Sequence, residues 1–437
     1  QTGWQTVDGL KYYFDRDGVM QKGFITVSSN VYYMGDDGVK KTGWQEINGY
    51  KYFFKETGND TELGKRLTGA QCIYGEYYGF DSEGHMLEGW HYVSGNNYYF
   101  DEEGKAIKDW YEEEGNKYYF SEKGVMQTGW QTVDGLKYYF DRDGVMQKGF
   151  IILGNSVYYT GDDGVMVKGW QNIGGYRYYF DSSSGVMITG IKFISGNYYG
   201  FDIKGHMLEG WQYISGHTYY FNEEGKAIIG WYQEDDIIYY FLETGIRVES
   251  TWKVIDEKTY YFDSDGIMVK GFLALGNDKY YLGDEGIRQI GWQHIGGYVY
   301  YFDISTAKMV IGLKEIDGKL YYFNSEGHML TGWQDIDGKK YYFDENGVMV
   351  TGFRTIGAYT YYFDKGVMVK ESRRAIDGFT YYFDEYGHMA IGFTVISGKT
   401  YYFDAKGHML FGFQVIGKEK YYFDAEGIMA IGWTTID

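Results

Sequence analysis

Five Gly-His-Met triplets place His85, His206, His328, His388 and His408 at one phase of a repeating chain. Imidazole can ligate metals or carry protons. Each of these histidines, however, falls in a different repeat, with no local pair or triad partner. They read as polar residues flanking a turn. Asp15-Arg16-Asp17-Gly18 and its copy Asp141-Arg142-Asp143-Gly144 resemble the start of a calcium loop. The bidentate Glu that closes such a loop is missing, so these too read as turns. The sequence has neither a Gly-rich phosphate loop with Lys-Ser/Thr nor a nucleophile elbow. What remains is aromatic surface with Asp, Asn and Gln beside it, the chemistry that holds a sugar through flat faces and hydroxyl contacts. Three variant segments sharpen the search: YYMGDDG from Tyr32, YYTGDDG from Tyr158 and YYLGDEG from Tyr280. The candidate ligand-binding residues are therefore Tyr33, Asp36 and Trp44; Tyr159, Asp162 and Trp170; and Tyr281, Asp284 and Trp292. The same segments also admit a geometric reading, a bend too tight for a large aromatic. No catalytic residue, metal or cofactor is expected.

The elements that must carry these residues are short. The chain repeats G-W/F-x-x-[IV]-x-G-x-x-Y-Y-F-D-x-x-G-x-M about every twenty residues, from Gly3 to a broken last copy ending at Asp437. All 12 Trp residues share one phase of it. Asp8-Gly9 sits between two alternating runs, the strongest local hairpin signal, because both turn positions need positive φ. Asn48-Gly49, Ser215-Gly216 and Asp317-Gly318 fill the same slot. Each repeat is thus read as a hairpin plus a connector. A unit this small buries no core alone, so units must stack on one another. The predicted fold is all-β, an elongated β-solenoid of hairpin repeats with almost no helix, running as one continuous array over 1–437. A longer period overlies the short one. Gln1–Phe24 is identical to Gln127–Phe150, and the variant boxes recur 126 and 122 residues apart. Superrepeats are placed roughly at 24–149, 150–271 and 272–437, with Lys55–Leu67 as an inserted, protruding loop.

The 65 Gly fall at fixed phases and Pro is absent, as expected of a chain that is nearly all hairpin. The formal net charge of -20 argues against nucleic acid and anionic membrane as partners. No apolar run approaches a membrane span. The lone Cys72 excludes a disulfide scaffold. Because the sequence starts and stops inside a motif, it is expected to be a piece of a longer protein.

The unit resembles the repeats of the bacterial cell-wall-binding superfamily across essentially the whole chain. Three branches compete: choline-binding modules, glucan-binding repeats of glucosyltransferases, and the C-terminal combined repetitive oligopeptides of large clostridial glucosylating toxins. The choline branch resembles G-x-W-Y-Y-L, where an aromatic before the Tyr pair helps cage a quaternary ammonium. Here the matching positions are read as Lys11, Val31, Lys51, Glu76, Asn97, Lys117, Lys137, Val157 and Arg177, none aromatic, which argues against that branch. The toxin branch matches the YYF-D box and the superrepeat, although its G-P-[ND]-G element is absent. That resemblance implies a secreted, extracellular, non-enzymatic module, a monomer that attaches a toxin multivalently to host cell-surface glycans. A glucan- or cell-wall-binding module is the alternative, and a structural or protein-receptor-binding arm is the next.

Overall fold

The computed structural model describes residues 1–432; the broken repeat at the C-terminus falls largely outside them. The chain divides into two compact units, Gln1–Ile228 and Ile229–Asp437. Among the described residues each unit is all-β, built from successive hairpins and free of helix, 21 hairpins in total. No helix long and apolar enough to cross a membrane is present among the described residues.

In the first hairpin Gly3–Val7 pairs antiparallel with Leu10–Phe14, Trp4 facing Tyr13 and Thr6 facing Lys11. Asp8 (φ 51) and Gly9 (φ 79) make the turn between them, as the Asp-Gly dipeptide predicts. A second turn follows, in which the Asp15 carboxylate accepts the amides of Asp17 (3.0 Å) and Val19 (2.9 Å). The chain then runs back beside its own strand and forms the bond that couples neighbours. The amide of the Met-position residue donates to the carbonyl just before the Tyr pair of the preceding hairpin, as Met146 does to Lys117 (2.8 Å) and Met166 to Lys137 (2.8 Å). The Met side chain lies against the glycine of the following connector; a Cβ on Gly144 would strike the Met126 sulfur. The last box residue forms the core: Phe54, Phe120, Phe140 and Phe180 are fully buried.

Two sequence expectations change. The segment Lys55–Leu67 does not protrude. It folds back on the first two hairpins, where Tyr32 donates to the Thr61 carbonyl (2.6 Å), Lys40 to the Leu63 carbonyl (2.7 Å), and Lys11 pairs with Asp60 (3.1 Å). In the two YYGF hairpins the box is shifted by one residue. Tyr77 faces Cys72 and Phe80 faces Gly69, so Gly79 holds the second Tyr position and Tyr77, not Glu76, precedes the pair. Tyr198 stands likewise opposite Phe193. The Trp side chains of the described hairpins also reach forward, as Trp4 does in packing on Tyr32 of the following hairpin (5.0 Å) as well as on its own Tyr13 (5.1 Å).

Candidate aromatic clefts between consecutive hairpins

That forward reach creates a repeated cleft. Its back is a Trp, and its walls are the Trp's own second box Tyr and the first box Tyr of the next hairpin, both edge-on. Its floor is the next hairpin's Met. Its side is the residue before the Tyr pair, which sits on the Trp's face of the sheet because side chains alternate along a strand. In the second compact unit Trp231 meets Tyr240 at 5.0 Å and Tyr260 at 4.9 Å. Ile238 and Met268 complete a cleft of about 330 Å³, rimmed by Gln233 and by Glu285 from two hairpins on. Trp231 is 43% exposed, and no salt bridge to Glu285 occurs among the described residues. An electron-rich indole face, a second aromatic and one carboxylate converge there, a set suited to an organic cation.

Other clefts repeat the plan with different sides. Trp44, Lys51, Tyr78 and Met86 line about 500 Å³, with Glu103 on the rim. There Glu103 pairs with Lys105 at 2.5 Å, and that hydrogen bond, then the lysine's charge, holds its carboxyl below the usual range. Trp333, Lys340, Tyr361 and Met368 line a further cavity of about 500 Å³.

The sequence candidates distribute unevenly over these clefts. Trp44 and Trp292 are cleft backs, Trp292 between Tyr301 and Tyr321 at 4.9 Å each. Trp170 lies between Tyr179 and Tyr199 (5.1 and 4.8 Å), beneath the Arg177 guanidinium. Tyr33, Tyr159 and Tyr281 belong to the hairpin before, where they pack on Phe24, Phe150 and Phe272. Asp36, Asp162 and Asp284 are exposed. The residues that replace the box Phe in these segments, Met34, Thr160 and Leu282, are each fully buried, so the shortened box is packed rather than open. Where its Asp is lost, the neighbouring carboxylate takes over the turn: Asp37 and Asp163 accept the amides of Val39 (3.0 Å) and Val165 (2.9 Å).

The histidines have a role that the turn reading missed. His206 stacks on Tyr176 of the preceding hairpin (3.9 Å), stands edge-on to Tyr178, and bonds Asp202 through Nδ1 (2.9 Å). His85 on Tyr50, His328 on Tyr298, His388 on Tyr359 and His408 on Phe379 repeat the stack at 3.7 to 4.0 Å. No group of three or more His, Cys, Asp or Glu able to hold a metal forms among the described residues.

The repeat has a family. The model of the choline-binding repeat matches residues 1–40, 87–128, 127–168, 167–209, 208–252, 248–287, 289–330, 310–350, 330–372 and 371–411. A cell wall binding repeat model matches 42–59 and 412–429. This chain belongs to the choline-binding repeat family. The superfamily read from the sequence stands, while its preference for the toxin branch finds no support in these matches. Among curated proteins, none matches the chain. Similar solved structures come from Streptococcus pneumoniae. Choline binding protein F is 25% identical over 61% of this chain and 98% of its own, with a TM-score of 0.37. CbpJ of strain TIGR4 is 26% identical over 80% of this chain and 100% of its own, TM-score 0.20. The choline-binding domain of CbpL is 25% identical over 46% of this chain and 97% of its own, TM-score 0.20. TM-scores this low lend those likenesses no weight, and membership rests on the repeat models.

Proposed function

We propose that this chain is a non-catalytic attachment module of an extracellular or surface protein, each compact unit a β-solenoid that takes choline-type ligands of the bacterial cell wall in its Trp–Tyr clefts. The observation that carries this reading is the Trp231 cleft. There an exposed indole, Tyr260, Met268 and Glu285 surround a space with an aliphatic Ile238 where several other hairpins carry Lys or Arg. Family membership supports the same ligand class. Trp44 and Trp292 serve as further contacts of this kind. The net charge of -20 raises the local concentration of any cation. Several weak sites on one chain give avidity that no single cleft has.

The test is retention on a choline-substituted resin, with dextran resin and a mammalian glycan array alongside. The chain is expected to bind choline resin and to elute with free choline. Trp231→Ala should weaken binding at that cleft by about 1–2 kcal/mol, roughly tenfold. The Trp position is not confined to aromatics, since Leu313 stands there opposite Tyr322. Retention on dextran alone would favour the glucan reading. Hits on the glycan array alone would favour attachment to host glycans.

A further inference from the structure

The Trp clefts are not equivalent, and the difference lies in the chain's own cations. Lys137 Nζ sits 4.9 Å from the Trp130 ring centre and the Arg177 guanidinium 4.3 Å from that of Trp170. Both stand just before the Tyr pair of the Trp's own hairpin. Two other cations come from the Met position of the following hairpin. Lys40 lies 4.7 Å from Trp4 and 5.6 Å from Tyr32, and Arg288 lies 5.3 Å from Trp252. Lys40 is 8% exposed and donates to the Leu63 carbonyl.

All four of these indoles are half-buried, as is Trp44, so it is the cation over the ring and not burial alone that sets them apart. Trp231 and Trp292, which have Ile238 and Val299 before the Tyr pair and Met268 and Met329 at the floor, are 43% and 36% exposed. A lysine before the pair does not by itself close a cleft. Lys117 turns to Glu112 (3.8 Å), and Trp110 stays exposed.

We infer that Lys137, Arg177, Lys40 and Arg288 cap their own aromatic clefts, so that the array offers only its uncapped clefts, with Trp231 and Trp292 among them, to a cationic ligand. This rests on the ligand class proposed above. A tethered cation is present at an effective concentration of about millimolar or more without any partner. It also makes the cation–π contact that a ligand would make. Whether a side chain settles over the ring therefore decides which repeats bind. A cation before the Tyr pair or at the Met converts a binding repeat into a structural one only where it settles over the indole, as Arg177 does over Trp170.

The test uses the full chain and two readouts on Arg177→Thr, a residue type already present at the matching Thr218. The first is the number of choline molecules bound per chain, by equilibrium dialysis of choline chloride. It should rise by one in the variant, and the converse change Ile238→Arg should lower it by one. The second needs no ligand: line broadening of the Trp170 indole N–H by a soluble nitroxide, weak in the wild type and strong in Arg177→Thr. A Trp170 indole equally open in both proteins, or a site count unmoved by either substitution while choline still binds, overturns the capping. A changed indole in a chain that binds no choline keeps the capping and removes the ligand reading.

Discussion

His206 and Tyr176 lie 30 residues apart in sequence yet share a stack, and the same pairing recurs at every Gly-His-Met triplet. Inspection of the sequence by local motif misses this, because neither residue looks unusual within its own repeat. Comparing adjacent repeats would have exposed it. An aromatic opens the second hairpin strand only at Tyr50, Tyr176, Tyr298, Tyr359 and Phe379, and the next repeat then carries His where others carry Val, Ile or Lys. A double-mutant cycle of Tyr176→Ala with His206→Val should show a coupling of about 0.5–1.5 kcal/mol, read from amide exchange in the two hairpins; additive effects would contradict the stack. The aspartates beneath these histidines carry a pH signature. Burial pushes the Asp202 carboxyl up, but the amides of His206 and Lys204 and the charge of His206 outweigh it, so it titrates below 3.8. Asp404 behaves likewise, and Asp81 through its own contacts with His85. A lowered carboxyl contributes stability that is present above the unfolded value and lost as pH falls through the folded one. Melting temperature should therefore fall as pH drops below about 4, less steeply in Asp202→Asn.

At the scale of the hairpin, Asp8-Gly9 and its equivalents were legible because turn chemistry is local. The order Trp, Tyr pair, Phe likewise gave the strand pairing, since alternation fixes which residues share a face. The coupling between hairpins was not legible: the Met146 amide finds a carbonyl 29 residues back, and no local pattern announces that bond. The YYGF repeats were misaligned for the same reason, counting from the Tyr pair when packing counts from the Phe. Gly200 marks the slot where the tip of the Phe221 ring of the next hairpin comes up against the backbone; a Cβ there would stand 2.6 Å from its Cζ. Gly200→Val should cost about 1–3 kcal/mol by overpacking. Adding Phe221→Leu should recover part of that loss, and a neutral Gly200→Val would show that the ring does not sit there.

Across the whole chain, stability depends on many aromatic contacts of similar size rather than on one core, as a repeat array requires. Burial first of all raises the phenols of Tyr98, Tyr178, Tyr219, Tyr300 and Tyr381 above the ordinary 10.0. A raised phenol contributes stability that is complete below pH 10 and lost as pH climbs through the folded values, so the chain should unfold cooperatively in alkali. A chain still folded well above that range would refute tyrosine burial as a main contributor. The fixed period of about twenty residues did reveal a repeat array of the cell-wall-binding superfamily at this scale. The Lys and Arg before the Tyr pair counted against the choline branch in the sequence, and spacing alone does not encode which of them lie over a ring, as Arg177 does over Trp170. The most direct measurement is a crystal structure of the chain grown with choline. The account predicts ligand density over Trp231, between Tyr260 and Met268 and beside Glu285, with Arg177 still seated on Trp170. An empty Trp231 cleft at saturating choline would contradict it.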